Sequence, residues 1–473
     1  MVEKSKKQEI FEEIAKVRDK FIRRNRYYYE DLKYFYCYHI PPGHRVLELG
    51  CGNGDLLAAV QPCQGVGVEF CETVVSDARK KHPKLEFILS DIEELPNLDK
   101  FDYIIISDVL ENVTDIQNLL TQLKTCCSSH TRIICNFFNH LWEPLLRFGQ
   151  KVGLNTPNPI SNWLSIHDIE NFFYLSDFET ISSGLRMLFP RNIPVLASFF
   201  NKIIARLPFI NKLCLTQYVI MRLKPNNQHF QNNFPSVSVI IPTRDEAGNI
   251  QGCFERTPKL GKWTELIFVD GNSTDGTIEA IEDGILKYKN QWENITLIHQ
   301  DDGTGKGDAV RKGFAKAKGD ILMILDSDLT MPPEDLPKYY EAIISGKGEF
   351  INGCRLIYPM EKLAMRTINY IGNKVFSAIF TWLLKQNVRD TLCGTKVLWR
   401  NDYEKIAANR HYFGDFDPFG DFDLLFGAAK LDLKIVDLPI RYRERNYGDI
   451  KIERWKHALL LFRMCIVGLH RMK

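Results

Sequence analysis

The chain has 473 residues, of which 45% are hydrophobic and 25% charged, and its formal net charge at pH 7 is +2. This length exceeds one ordinary hydrophobic core, so we expect two domains, and the balanced charge argues against nucleic acid as a partner. The twelve cysteines include no Cys-x-x-Cys pair, which favours free thiols over zinc or disulfide frameworks. The charged amino-terminal segment lacks a signal-peptide core, and no segment is apolar enough to span a bilayer. We therefore expect a cytoplasmic protein.

The first half of the chain alternates strand-like and helix-like segments. The predicted strands are residues 46–49, 65–70, 85–89, 101–107 and 131–138, and the helical stretches are 75–82 and 114–124. Such alternation is typical of a parallel sheet that helices cover on both faces. The sequence therefore predicts an α/β domain here.

A polar segment rich in Asn, Gln and Pro interrupts this pattern and is predicted to be a linker. The alternation then restarts, with predicted strands at 237–241, 265–269, 295–299 and 321–325. We therefore expect one α/β domain over residues 1–223, a linker over 224–235 and a second α/β domain over 236–473.

A glycine-rich turn follows the first predicted strand, in the sequence Glu48-Leu49-Gly50-Cys51-Gly52-Asn53-Gly54. Glycines let the backbone turn tightly and approach a ligand before the next helix. The spacing differs from the Gly-x-Gly-x-x-Gly of dinucleotide sites. Glu69 closes the next strand, where its carboxylate can accept hydrogen bonds from ribose hydroxyls, and Asp91 follows the third strand.

The turn, Glu69, Asp91 and the segment FDYIIISDVLENV together resemble the class I S-adenosylmethionine-dependent methyltransferases, over about 40–222. The resemblance implies a Rossmann-like fold with S-adenosylmethionine as cofactor. It assigns Glu69 to the ribose, Asp91 and Ile92 to the adenine, and Asp108 to the methionine end. The residues that it implies for the cofactor loop are Glu48, Gly50, Gly52 and Gly54.

The methyl acceptor cannot be identified from the sequence. His140, Trp142 and His167 are candidates for its pocket, although single residues of these types more often serve packing. A domain that keeps the fold as a scaffold without catalysis is the alternative.

In the second half, the apolar run at 321–325 ends in Asp326-Ser327-Asp328. Because alternate side chains of a strand share one face, the two carboxylates are expected to converge where the strand ends. Hard oxygen ligands of this kind suit Mg²⁺ or Mn²⁺ holding a diphosphate. The pair therefore predicts nucleotide-sugar chemistry.

Polar residues also follow other predicted strands of this half. The first strand leads into Pro242-Thr243-Arg244-Asp245-Glu246, a suitable rim for a base and ribose, and the second ends at Asp270, which can accept from a base N–H. The turn at 303–308 is not a Walker A loop, but it offers Lys306 and backbone N–H groups to a phosphate.

Residues from about 236 to 455 closely resemble the family 2 glycosyltransferases of the GT-A fold, and among them the dolichol- and polyprenyl-phosphate sugar transferases. Asp326, Ser327 and Asp328 stand at the Asp-x-Asp motif of that family. The other residues that the resemblance implies for the nucleotide sugar are Pro242, Arg244, Glu246, Asp270, Arg355, Arg445 and Lys451. Residues 389–394 resemble an Arg-Asp-x-x-x-Gly element at the floor of the site. Gly271 departs from the family, which commonly has a second aspartate there, and the transmembrane tail of many relatives has no counterpart.

These residue types suit sugar transfer, in which negative charge grows on the leaving diphosphate. A divalent ion on Asp326 and Asp328 would stabilise that charge, and Arg445 and Lys451 would add fixed positive charge. Attack from the opposite face predicts inversion at the anomeric carbon. A polyprenyl phosphate acceptor needs no general base, whereas a hydroxyl of a glycan or secondary metabolite needs one, for which Asp421 is the candidate.

Residues 366–385 and 454–473 are strongly apolar helical patterns with basic ends. They suit either peripheral contact with the inner face of a membrane or packing on the domain and a dimer face. The donor base, the sugar, both acceptors and the oligomeric state stay open. We expect a bifunctional enzyme; a module whose nucleotide sites serve regulation or scaffolding is the alternative.

Overall fold

The structure is a computed structural model that describes residues 2–154, 162–207, 209–225, 234–303, 305–358, 367–412, 420–445, 447 and 454–471. The chain divides into two compact units, Met1–Lys224 and Pro225–Lys473. Each unit is built around its own seven-stranded sheet. The α/β class expected for both halves is confirmed.

The amino-terminal unit alternates strands and helices along most of its length. Its helices are α1 (Val2–Arg24), α2 (Arg26–His39), α3 (Asp55–Ala59), α4 (Glu72–Lys81), α5 (Ile116–Leu123), α6 (Glu143–Lys151), α7 (Ile166–Leu175) and α8 (Leu196–Lys202). Its strands are β1 (Arg45–Leu49), β2 (Gln64–Glu69), β3 (Glu86–Leu89), β4 (Tyr103–Ser107), β5 (Arg132–Phe138), β6 (Phe178–Arg186) and β7 (Thr216–Leu223). The strand order is β3-β2-β1-β4-β5-β7-β6, with β7 antiparallel to both neighbours.

The strand order of this unit places a ligand crevice at the end of β1. Strand β1 pairs in parallel with β2 on one side and with β4 on the other. In open α/β sheets, ligands bind outside the carboxyl ends of the strands at such a switch point. Val46 and Leu47 point to opposite faces of β1 and both are fully buried, as expected for a parallel strand that helices cover on both sides.

The carboxyl-terminal unit has a second, different sheet. Its helices are α9 (Ala247–Arg256), α10 (Thr277–Tyr288), α11 (Gly305–Lys316), α12 (Leu336–Ile344), α13 (Thr367–Leu384), α14 (Arg400–Ala408), α15 (Phe422–Lys430) and α16 (Arg454–Arg471). Its strands are β8 (Val237–Thr243), β9 (Thr264–Asp270), β10 (Asn294–His299), β11 (Ile321–Ile324), β12 (Phe350–Cys354), β13 (Lys396–Trp399) and β14 (Ile435–Pro439). The strand order is β10-β9-β8-β11-β13-β12-β14, with β13 antiparallel to both neighbours.

The Asp326–Asp328 segment lies beyond the end of a strand. Strand β11 ends at Ile324, so both carboxylates belong to the following turn. The alternation of side chains along a strand therefore does not position them, contrary to our expectation. Their place is fixed instead by the sheet edge, because β8, β9 and β11 run parallel and end on the same side.

The two apolar segments predicted near the carboxyl terminus form α13 and α16. Phe380 of α13 and Met464 of α16 belong to the same buried apolar cluster as Phe426 of α15. The opposite faces expose Ile371 and Phe462. Packing on the domain is therefore observed, and membrane contact through these helices stays a prediction. No helix in the described part of the chain is long and apolar enough to cross a membrane.

Candidate active sites

A cavity of about 810 Å³ lies at the carboxyl edge of the amino-terminal sheet. The predicted cofactor residues that line it are Glu48, Gly50, Glu69, Asp91, Ile92 and Asp108. Gly52 and Gly54 belong to the same turn but do not line the cavity. The residues named from the sequence for the cofactor are thus brought together at one site, and their individual roles stay predictions.

The turn after β1 requires its glycines. Gly50, Gly52 and Gly54 all have left-handed backbone conformations, with φ of 65°, 55° and 75°. A Cβ atom on Gly52 would lie 2.0 Å from Nη1 of Arg18, and one on Gly50 would lie 2.6 Å from Cγ2 of Val109. The absence of side chains therefore keeps this turn close to its neighbours, including a guanidinium that lines the cavity.

The carboxylate of Glu69 is held by backbone donors at the rim of this cavity. One oxygen accepts from the N–H of Gly52 at 3.1 Å, and the other accepts from the N–H groups of Phe70 at 2.9 Å and Cys71 at 3.1 Å. Asp91 accepts from the N–H of Glu93 at 2.9 Å. Both carboxylates are therefore fixed before any ligand binds.

Three buried carboxyl groups face the cavity without a carboxylate–cation hydrogen bond. Burial raises the pKa of Glu48 to about 8, and its side chain accepts from the N–H of Leu57 at 3.0 Å. Burial also raises the pKa of Asp108, which accepts from Tyr28 at 2.7 Å and Asn136 at 2.6 Å. The cavity therefore favours the neutral form of these carboxyl groups, and a ligand with positive charge would favour their ionised form.

Glu111 is the third of these groups, and the sequence analysis did not single it out. Burial raises its pKa, and the neighbouring Asp108 raises it further. One oxygen accepts from the N–H of Phe138 at 2.9 Å, while Oε2 is buried without a hydrogen-bond partner. An acidic residue inside the apolar FDYIIISDVLENV segment was the available signal. For Arg18, which lies on α1 far from any motif, there was none.

The candidates for the methyl-acceptor pocket occupy different places. Trp142 lines the cavity, and its indole N–H donates to the carbonyl of Leu213 at 2.7 Å. His167 lies on α7 with its side chain 96% exposed. Neither it nor His140 is among the lining residues of the cavity.

In the carboxyl-terminal unit, Asp326 forms an ion pair with Lys306. Burial would raise the pKa of Asp326, but the Lys306 ammonium outweighs this effect and lowers it. A Cβ atom on Gly394 would lie 2.1 Å from both Oδ2 of Asp326 and Nζ of Lys306. The glycine of the predicted Arg-Asp-x-x-x-Gly element is therefore what lets this ion pair form.

Asp328 forms a second ion pair, with Arg445. The guanidinium lies 2.7 Å from Asp328 and 3.2 Å from Glu246. Thr330 also donates to Asp328, from its hydroxyl at 2.8 Å and its N–H at 3.1 Å. Three residues that were predicted separately for the nucleotide sugar thus meet here, while Lys451 lies outside the described residues.

The Arg355 side chain is paired with a different residue of the predicted floor. Its guanidinium donates two hydrogen bonds to Asp390, at 2.8 and 2.9 Å, and Asp390 is fully buried. Burial would raise the pKa of Asp390, but Arg355 holds it well below its usual value. Contact of Arg355 with the diphosphate stays a prediction, because this bidentate pair already uses the guanidinium.

Asp421 lies near the Asp326–Lys306 pair and interacts electrostatically with Lys306. It precedes α15 and is 5% exposed, and its Oδ1 lies 3.4 Å from the buried ammonium of Lys396. Asp421 also raises the pKa of Lys306, together with Asp326. The predicted base is therefore surrounded by positive charge.

The nucleotide loops adjoin these pairs. The hydroxyl of Ser327 donates to the carbonyl of Pro242 at 2.9 Å, and buried Asp270 accepts from the N–H of Ser273 at 3.1 Å. Tyr447 donates to Asp275 at 3.3 Å. Arg244 is exposed at the same rim. Together these residues border the edge where β8, β9 and β11 end.

The residues at this edge suit a divalent ion. No group of three or more His, Cys, Asp or Glu side chains able to hold a metal occurs among the described residues, and Asp326 and Asp328 are the two carboxylates that the sequence predicts for a metal. Mg²⁺ is commonly held by one or two carboxylates together with substrate phosphates and waters. The donor set therefore fits an ion that binds together with a diphosphate.

Two family models match the chain: a methyltransferase domain over residues 20–183 and glycosyl transferase family 2 over residues 238–407. The chain is 40% identical to a dolichol-phosphate mannosyltransferase of Saccharomyces cerevisiae, over 22% of this chain and 40% of that protein. It is 38% identical to a dolichol-phosphate mannosyltransferase of Pyrococcus furiosus, over 46% and 59%. It is 26% identical to an undecaprenyl-phosphate 4-deoxy-4-formamido-L-arabinose transferase of Photorhabdus laumondii, over 48% and 66%. The chain thus spans less than two thirds of each relative.

Proposed function

Because the chain joins a methyltransferase domain to a family 2 glycosyltransferase domain, we propose that it is a bifunctional enzyme. The carboxyl-terminal domain transfers a sugar from a nucleotide diphosphate donor to polyprenyl phosphate, with inversion. The amino-terminal domain transfers a methyl group from S-adenosylmethionine to a second acceptor. The observation that carries the first activity is the meeting of Asp326, Asp328, Lys306 and Arg445 at one sheet edge.

Lys306 and Arg445 are each paired with carboxylates of the donor site before any ligand binds. Lys306 neutralises Asp326, and Arg445 is shared between Asp328 and Glu246. A divalent ion bound to the two aspartates supplies Lewis-acid stabilisation of the leaving diphosphate. Lys306 and Arg445, released from these carboxylates, then donate to the phosphate oxygens as negative charge grows there.

The surroundings of Asp421 favour a phosphate over a hydroxyl as the acceptor. The Lys396 ammonium lies 3.4 Å from the Asp421 carboxylate, and the Lys306 ammonium interacts electrostatically with the same carboxylate. The same cations attract an acceptor that carries its own negative charge. The names of the three relatives, which specify dolichol or undecaprenyl phosphate, support the same choice.

In the amino-terminal domain, the cavity suits a cationic cofactor. S-adenosylmethionine supplies a methyl group on a positively charged sulfur, and that charge would favour ionisation of Glu48, Asp108 and Glu111, whose pKa values are raised in the cavity. Glu69 is placed to accept from the ribose hydroxyls, and Arg18 offers a guanidinium to the carboxylate of the cofactor. Glu111 Oε2, buried without a partner, is available to take a proton from the methyl acceptor.

Incubation of the full chain with labelled nucleotide sugars, polyprenyl phosphate and Mn²⁺ tests the sugar transfer. We expect label in the lipid fraction with one of the donors, and retention of that activity in Asp421→Asn. Label that appears only on a hydroxyl acceptor, and is lost in Asp421→Asn, would replace the lipid phosphate with the glycan or metabolite alternative. No label from any donor, on either acceptor, would overturn the transferase proposal.

A further inference from the structure

The amino-terminal unit has an unusually apolar surface next to its cavity. We call it the apolar shelf and define it as residues 141–152, 193–207 and 209–213. Its exposed large apolar side chains are Leu141, Leu145, Phe148, Val152, Ile193, Val195, Leu196, Phe199, Ile203, Leu207, Phe209 and Leu213. Soluble proteins rarely expose so many such side chains in one region, and a patch of this kind marks an interaction site.

The parts of the shelf are tied together by hydrogen bonds. Asn139 donates to the carbonyl groups of Lys212 and Cys214, at 2.9 and 2.8 Å, and Trp142 donates to Leu213 at 2.7 Å. These bonds join the start of α6 to the segment that follows α8. The shelf is therefore one surface of the fold.

The two most exposed side chains of the shelf belong to residues with unusual backbone conformations. Val195 is 84% exposed and Phe209 is 83% exposed. Both have left-handed φ values, of 65° and 71°, which β-branched and bulky residues adopt at a cost in free energy. Large apolar side chains that are exposed to water in this way gain favourable free energy only if a partner covers them.

The charge of the shelf indicates what that partner is. The chain contains no Asp or Glu between Glu179 and Asp245, so α8 and its flanking segments carry positive charges alone. The basic residues there are Arg191, Lys202, Arg206 and Lys212. Apolar side chains that insert among headgroups, beside Lys and Arg that attract anionic lipids, are the features of a helix lying in a membrane interface.

The shelf is continuous with the mouth of the cavity. Leu145 and Phe148 are exposed on the shelf and also line the cavity. Pro190 and Arg191, which directly precede the shelf residues 193–207, line the cavity as well. A molecule anchored in a bilayer beneath the shelf would therefore reach the cavity without leaving the lipid.

We propose that the apolar shelf docks on an anionic lipid bilayer and that the methyl acceptor is a lipid-anchored molecule presented there. The docking rests on the surface alone, whereas the acceptor class rests on the proposed methyltransferase function. This surface is separate from α13 and α16, for which the sequence suggested membrane contact.

Sedimentation of the full chain with vesicles tests the docking. We expect binding to vesicles of phosphatidylcholine mixed with phosphatidylglycerol, weakened by salt and by Lys202→Gln with Lys212→Gln. Val195→Ser with Phe209→Ser should lower the partition coefficient by about tenfold or more, since both large apolar side chains would be buried in the bilayer. The matched control, Leu175→Ser with Leu286→Ser, removes side chains that are 54% and 71% exposed and should leave binding unchanged.

Three outcomes would overturn the proposal. The first is equal vesicle binding by the shelf variant and the control, when thermal unfolding measurements show that both are folded. The second is absence of vesicle binding by the unsubstituted chain. The third is a dimer, seen by light scattering, that the shelf variant alone disrupts, because a second copy of the chain would then cover the shelf. None of these depends on sugar or methyl transfer, so failure of docking and failure of the proposed function are distinguishable.

Discussion

The two sites of this chain hold their carboxyl groups in opposite electrostatic states. In the amino-terminal cavity, burial raises the pKa of Glu48, Asp108 and Glu111. In the carboxyl-terminal site, cations outweigh burial and lower the pKa of Asp326 and Asp390. The first site thus favours the neutral form of its carboxyl groups, whereas the second holds Asp326 and Asp390 ionised beside cations.

This difference matches the ligands that we propose. A sulfonium cofactor adds positive charge, which favours the ionised form of the buried carboxyl groups. A divalent ion with a diphosphate adds charge of both signs. The ion would pair with Asp326 and Asp328, and the diphosphate would pair with Lys306 and Arg445. The polarity of each site thus indicates the charge of its ligand better than any single motif does.

The largest effect should come from replacing Asp326, one of the two proposed metal ligands. Asp326→Asn should lower kcat for sugar transfer by at least ~10²–10³-fold, the loss typical when one stabilising group of a transition state is removed. Affinity for S-adenosylmethionine should not change. Asp283→Asn, at an exposed position on α10, is the control and should retain full activity. Sugar transfer by Asp326→Asn at the rate of the unsubstituted chain would contradict the role proposed for Asp326.

Loss of the buried pair between Arg355 and Asp390 should mainly affect stability. Asp390→Ala leaves a guanidinium that is 12% exposed without its carboxylate, and removing one partner of a buried pair costs about 3–5 kcal/mol. Urea unfolding of the full chain measures this. An Arg355→Lys variant that unfolds normally but has a raised donor KM would instead place Arg355 at the diphosphate.

Removal of the ribose acceptor should have a smaller effect, confined to the first site. Glu69→Gln should weaken S-adenosylmethionine binding by ~1.5–3 kcal/mol, the contribution of hydrogen bonds to a charged group. Isothermal titration calorimetry measures the change, and Glu72→Gln, exposed on α4, is the matched control. Equal binding by both variants would contradict the assignment of Glu69.

A further difference is a pH dependence of opposite sign in the two domains. Because the folded protein binds the Glu48 proton more tightly than the unfolded chain, stability of the amino-terminal domain should fall as pH rises from about 4.5 to about 8. Asp326 and Asp390 have lowered pKa values in the folded protein. Their domain should therefore lose stability only as the pH falls below the usual pKa of an aspartate.

Thermal unfolding across this pH range, with the transition that S-adenosylmethionine shifts assigned to the amino-terminal domain, measures both trends. Glu48→Gln should weaken the first trend, to which Asp108 and Glu111 also contribute, and leave the second unchanged. A first transition that gains stability toward pH 8 would contradict the raised pKa of Glu48.

The sequence predicted much of both sheets because their strands are short apolar runs bounded by turns. Strands β6, β7, β12, β13 and β14 were not predicted. β7 and β13 are antiparallel, and they pair with the strands β5 and β11, which lie far away in the sequence. Local pattern carries less information where a strand depends on distant neighbours.

The positions of the site residues were more predictable than their partners. Arg445 and Glu246 are 199 residues apart, and Arg355 and Asp390 are 35 apart. Pairing over such separations depends on the folded sheet edge, so motifs alone could not reveal that each cation already has a carboxylate. Glu111 was missed for the same reason, since its isolation is a property of the packed core.

The most direct test of the account is Mn²⁺ binding, followed by electron paramagnetic resonance, with a panel of nucleoside diphosphates. The account predicts that the full chain binds Mn²⁺ tightly only when its nucleotide is present, and that Asp326→Asn with Asp328→Asn abolishes this dependence. Equal nucleotide-dependent binding by the double variant would contradict it.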